Sequence, residues 1–68
     1  MDARIALAGR EVLLEFVPAG TSMKAVAVDA ATGTEVVVVG PIAAGRHALE
    51  RVACAKLVYR LRKDGAIR

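Results

Sequence analysis

The spacing of apolar residues changes once along this chain, and the change divides it into two kinds of structure. Before Gly40-Pro41 the clearest pattern is alternation: Val12, Leu14 and Phe16 fall on one side, Glu11 and Glu15 on the other. That is the period of a half-buried strand. After Gly45 the repeat lengthens, and Leu49, Ala53, Leu57 and Leu61 recur every fourth residue, as on one ridge of a helix. No fold that is all strand or all helix satisfies both halves. The expectation is an α+β domain, a three-stranded antiparallel β-meander packed by one C-terminal α-helix in the order β-β-β-α.

Three strand segments are predicted, over residues 10–17, 22–29 and 34–39, the last holding four consecutive valines. Pro18-Ala19-Gly20-Thr21 and Ala30-Ala31-Thr32-Gly33 read as the turns between them. Treating both turns as four-residue loops sets a register. Phe16 then faces Met23, Glu15 faces Lys24, Arg10 faces Asp29 and Glu35 faces Val28. Opposite charges across a ladder are favourable, which supports this pairing. The inner face becomes Val12, Leu14, Phe16, Met23, Ala25, Ala27, Val36 and Val38. Its central alanines suit the close approach of a helix.

The helix is predicted from about Ala44 to Lys63, a stretch with no Gly or Pro after Gly45. Gly45 stands at the N-cap position, and Gly65 lies just past the end. Cys54 and Val58 widen the Leu49–Leu61 ridge on one side. Ala48, Val52, Ala55 and Tyr59 form a second apolar strip, and Lys56, Arg60 and Lys63 share a third.

Composition bears on assembly. The chain has 68 residues, 14 of them alanine and 10 valine, with one Phe, one Tyr and no Trp. It is too apolar for intrinsic disorder, yet short of large side chains for a single small core. Domains of this size often add disulfides, metals or a second subunit, and the lone Cys54 rules out a disulfide within the chain. One helix covers one sheet face. The outer face is expected to carry Leu13, Val26 and Val37 in one row, with Val28 and Val39 nearby and charged residues around them. Two readings are open: either Ile5-Ala6-Leu7 folds over part of this row or the valines simply serve strand propensity, or else another copy of the chain covers the row. The second is favoured, because an apolar patch with a polar rim marks an interface. A homodimer or higher homo-oligomer is expected, through this face, the spare helix strip, or both.

Sites for chemistry are sparse. His47, Glu50 and Cys54 share one side of the helix, but His47 and Cys54 stand about 10.5 Å apart along its axis, too far to ligate one ion. Cys54 lacks a base, and Glu50 one turn away disfavours its thiolate. Glu11 and Glu15 are separated by about 13 Å along a strand, too far for a glycosidase pair. No catalytic, metal or cofactor site is expected, and the chain is read as no enzyme. The loop from Gly40 to His47 leads into a helix with Arg46 in its first turn, a place that could attract an anion, although it lacks the P-loop ending.

Charge is uneven. The net charge of +3 splits into −2 for residues 1–45 and +5 for residues 46–68. The basic helix, with Arg46, Lys56, Arg60 and Lys63, is the alternative site: anion or nucleic-acid contact of the kind made by double-stranded RNA-binding domains. Against it, that fold's first helix is missing and no aromatic platform is present.

Several segments together resemble a known family: Glu11-Val12-Leu13-Leu14-Glu15-Phe16, then Asp29 through Thr32-Gly33-Thr34-Glu35-Val36, Gly40-Pro41, Ala48-Leu49-Glu50-Arg51 and Lys56-Leu57-Val58-Tyr59-Arg60-Leu61. The family is one of small uncharacterised alphaproteobacterial proteins. The resemblance runs from Glu11 to Lys63 and implies a bacterial protein of unknown function. Residues 1–9 are read as a variable extension and residues 10–65 as the domain. The N-terminal apolar stretch is too short for a signal peptide core, and no run approaches the length of a membrane span. The expectation is therefore a soluble cytoplasmic protein with no membrane partner.

Overall fold

A computed structural model of the chain describes residues 6–68. Strand β1 spans Val12–Ala19, β2 Ser22–Asp29 and β3 Glu35–Pro41; a 3₁₀ turn over Ile42–Ala44 then leads into helix α1, Arg46–Lys63. The strands form one antiparallel sheet in the order β1-β2-β3. Helix α1 packs against β2 and β3 on one face of it. This is the β-β-β-α arrangement expected from the two periodicities.

The two hairpins differ in how closely they follow the expected register. In the second, Glu35 pairs with Val28 as expected. In the first, the strands run on to Ala19 and restart at Ser22, so the loop is only Gly20-Thr21 and not Pro18 to Thr21. Phe16 therefore faces Ala25, Glu15 faces Val26 and Lys24 faces Val17. Glu15 and Lys24 become diagonal neighbours instead of direct partners. The tight turn requires a positive φ at its first residue, and Gly20 supplies +61° there without steric cost. Pro18 does not stop the strand. Glu11 O accepts from Ala30 N, so in the alternating ladder the even residues of β1 point their backbone groups to the open edge. Pro18 is one of these and has no N–H to lose.

The slip is two residues, the pleat period, so every side chain keeps its expected face. Met23, Ala25, Ala27 and Val36 are buried beneath α1; Val12, Leu14, Phe16 and Val38 are half-buried around them. From α1 come Leu49, Ala53, Leu57, Val58 and Leu61. Ala25, Ala27 and Ala53 have no exposed surface at all. Small residues on both sides let the helix settle close to the sheet, and Leu57 and Leu61 supply the bulk. Leu7 is buried in this same cluster. It does not cover the outer face as one reading had it, and Ile5 lies outside the described residues.

The helix ends as the sequence suggests. Gly45 is the N-cap and offers no side-chain hydrogen bond. At the other end Gly65, at φ +77°, allows the chain to reverse. Its N–H donates to Arg62 O at 3.1 Å, and Ala66 N–H donates to Leu61 O at 2.9 Å. These are the two bonds of a Schellman cap. Arg60, Arg62 and Lys63 in the last turn complement the helix dipole. Ile67 then folds back onto the core.

Candidate interaction surfaces

The face of the sheet away from α1 carries all five residues expected there. Leu13 is 55% exposed, Val37 39% and Val39 68%, while Val26 and Val28 are half-buried by their neighbours. Their arrangement corrects the expected single row. With the first register shifted, Leu13, Val28 and Glu35 form one row, Glu15, Val26 and Val37 the next, and Val17, Lys24 and Val39 the third. Each row holds two apolar residues and one charge, and each strand holds one charge. Val26 is at the centre.

The spare strip of α1 also faces outward. Val52 is 55% exposed and Tyr59 67%, and Ala48 and Ala55 are exposed beside them.

The basic residues do not form one site. Lys56, Arg60 and Lys63 line a shallow open cleft of about 410 Å³ where α1 passes the edge of β3, together with Val36, Tyr59 and Asp64. Lys56 Nζ donates to Val37 O at 2.8 Å, occupying a backbone carbonyl on the sheet's open edge. Arg60 Nε lies 3.3 Å from Asp64 Oδ2. Lys63 has no hydrogen-bond or ion-pair partner among the described residues. Arg46 is at the opposite end of the helix, about 26 Å from Lys63 along its axis. Its guanidinium stacks over the Phe16 ring, 5.4 Å from the centroid. It neither joins the cleft nor pairs with Glu50, and its charge is occupied with closing the half-covered end of β1.

Among the described residues the one buried charge is Asp29, on the inner face at the end of β2. Arg10 reaches it with two nitrogens, and Thr32 donates both its backbone N–H and its hydroxyl. The spacing of charges pointed to an Arg10–Asp29 pair, but as ladder partners. The actual ladder partner of Asp29 is Val12, and Arg10 closes the pair from just before the strand. Thr32 is more than a turn residue: its place three residues after an Asp, within an Asp-x-x-Thr turn, is the sequence signal for the bond.

His47 is exposed, and Glu50 and Cys54 are half-buried. No cluster of three metal-ligating side chains occurs among the described residues. Burial, and secondarily the Glu50 carboxylate, push the Cys54 thiol above its ordinary pKa. Both effects oppose formation of a reactive thiolate. Among the described residues no helix is long and apolar enough to cross a membrane.

Comparison with curated proteins and with solved structures found no match. Residues 9–64, which include the whole sheet, the helix and the Arg10–Asp29 pair, match the model of a domain of unknown function, DUF6898. The chain belongs to that family.

Proposed function

We propose that this protein is a non-enzymatic interaction module of the bacterial cytoplasm that self-associates, as a homodimer, through the outer face of its sheet. The observation that carries the reading is the patch of Leu13, Val26, Val28, Val37 and Val39, which α1 leaves uncovered among the described residues because it is committed to the other face. Leu7, which one reading of the sequence placed over this patch, is packed in the core instead. The raised thiol pKa of Cys54 favours a binding role over catalysis.

Sedimentation equilibrium over the micromolar range tests the reading. A dimer is expected, and Val26→Lys should convert it to a monomer that keeps the wild-type circular dichroism spectrum. A wild-type chain that stays monomeric at about 100 μM would overturn it, since a specific interface of standard size associates well below that concentration.

A second reading has its own observation, the cleft that gathers Lys56, Arg60 and Lys63. Three cations on successive turns of one helix suit a phosphate-bearing anion. Titration with a duplex RNA and a nucleoside monophosphate at low and moderate salt tests it. Binding that weakens steeply with salt supports nucleic-acid contact, and no binding at low salt removes the reading.

A further inference from the structure

The pattern of charges on the outer face restricts how two copies can stack. Taking strands as columns, Glu15 lies one strand to the side of Val26 on β1, Lys24 lies two residues along β2 from Val26, and Glu35 sits at a corner on β3. Stacked sheets adopt two orientations, with strands roughly aligned or roughly orthogonal. A two-fold axis through Val26 and along the strands sets Lys24 against the partner's Lys24. An axis across the strands sets Glu15 against the partner's Glu15. Both aligned arrangements therefore place like charges face to face in a closing interface.

The orthogonal arrangement has two diagonal axes. About one of them, Glu15 lands on the partner's Val28 and Lys24 on the partner's Val37, so both charges are covered without a partner. About the other, Glu15 lands on the partner's Lys24, and by symmetry Lys24 lands on the partner's Glu15. The central contacts about this axis are apolar: Val26 on the partner's Val26, Leu13 on the partner's Val39, Val28 on the partner's Val37. Glu35 lies on this axis at the outer corner and meets the partner's Glu35, a single repulsion at the solvated rim set against two Glu15–Lys24 attractions that neither aligned arrangement offers. Neighbouring strands are about 4.8 Å apart and alternate residues about 6.7 Å, so the Glu15 and Lys24 positions match to within about 2 Å. Flexible side chains span that difference.

Building on the self-association reading, we infer that the dimer is an orthogonal two-sheet sandwich closed by two reciprocal Glu15–Lys24 ion pairs between copies. The same two residues are diagonal neighbours within one chain and form no ion pair there among the described residues. Their reach is free for the partner.

Charge reversal tests the geometry. Glu15→Lys and Lys24→Glu each replace two attractions between copies with two repulsions, and each should weaken the dimer at least about tenfold, given the cost of like-charge juxtaposition. Mixing equal amounts of the two variants should restore association as a heterodimer, because each charge then meets its opposite. The double variant, Glu15→Lys with Lys24→Glu, should dimerise on its own. Light scattering and sedimentation read the masses, and circular dichroism of each variant alone establishes that it folds. Unlike charges within one chain cannot produce the rescue on mixing. A wild-type monomer would overturn the self-association reading and this inference with it. A wild-type dimer whose reversed variants still dimerise, or are not rescued by mixing, would overturn the orthogonal geometry alone.

Discussion

Arg10 and Asp29 hold each other through two parallel hydrogen bonds, Nε to Oδ1 at 3.0 Å and Nη2 to Oδ2 at 2.8 Å, although neither is the other's partner in the sheet. The pair ties the residue before β1 to the last residue of β2. Thr32 adds donations at 3.1 Å from its N–H and 2.7 Å from its hydroxyl, so the same carboxylate also organises the turn into β3. A fully buried carboxylate with four donors is satisfied where an unpaired one would be costly.

These donors, Arg10 foremost and then Thr32, hold the Asp29 carboxyl well below the usual carboxylate range. In the unfolded chain the same group takes up its proton near pH 4, its ordinary value. Its folded pKa is depressed, so its stabilisation is complete above about pH 5 and is lost progressively as the pH falls below about 4. Thermal melts from pH 7 to pH 3 should show this acid limb. Asp29→Asn should lower the midpoint at pH 7 and flatten the limb; an unchanged pH slope in the variant would refute the assignment.

The core rests on few large side chains, so losing one should be severe. Leu57→Ala should cost about 3–5 kcal/mol, because it removes a fully buried leucine and leaves a cavity that close-packed neighbours fill poorly. Ala27→Leu should cost about 1–3 kcal/mol for the opposite reason, overpacking the narrow space beneath α1. Denaturant titration of both variants beside Val52→Ala, on the exposed strip, makes the comparison. The last should be near neutral.

Gly40 sits where the helix crosses the end of β3. A Cβ placed there would lie 2.5 Å from Cδ2 of Leu49, itself buried. Gly40→Ala should therefore destabilise by about 1–2 kcal/mol through a forced shift of Leu49. Adding Leu49→Val, which withdraws that methyl, should make the alanine at position 40 less costly; a double-mutant cycle measures the coupling.

If the dimer is the working form, stability should depend on concentration. The wild-type melting midpoint should rise with protein concentration, because association draws on the folded state alone. The Val26→Lys midpoint should not. Calorimetry at two concentrations a hundredfold apart reads the difference.

How much of this was legible follows from the range of each signal. Val12, Leu14 and Phe16 declare their shared face by spacing alone, and Leu49, Ala53, Leu57 and Leu61 do the same for the helix. The second hairpin was legible because its turn residues, Ala30-Ala31-Thr32-Gly33, do span a four-residue loop, which brings Glu35 opposite Val28. The first was not. A slip of two residues keeps Glu15 and Lys24 on the same face, so alternation does not distinguish the two pairings, and the apparent charge match favoured the wrong one. Gly20 and Pro18 held the answer, the first by offering the positive φ of a two-residue turn and the second by fitting an outer edge.

Sequence alone thus determined the order of elements, the parity of every strand and the buried ridge of the helix, because these depend on local periodicity. Tertiary structure decided what lies across from what. It set Val26 between Glu15 and Val37, placed α1 over β2 and β3, buried Asp29 beneath Arg10, and separated Arg46 from Lys56, Arg60 and Lys63. Those relationships join residues far apart in the chain. They are settled by which turn closes most tightly and which packing leaves no buried group unsatisfied, and no short window of sequence carries that information.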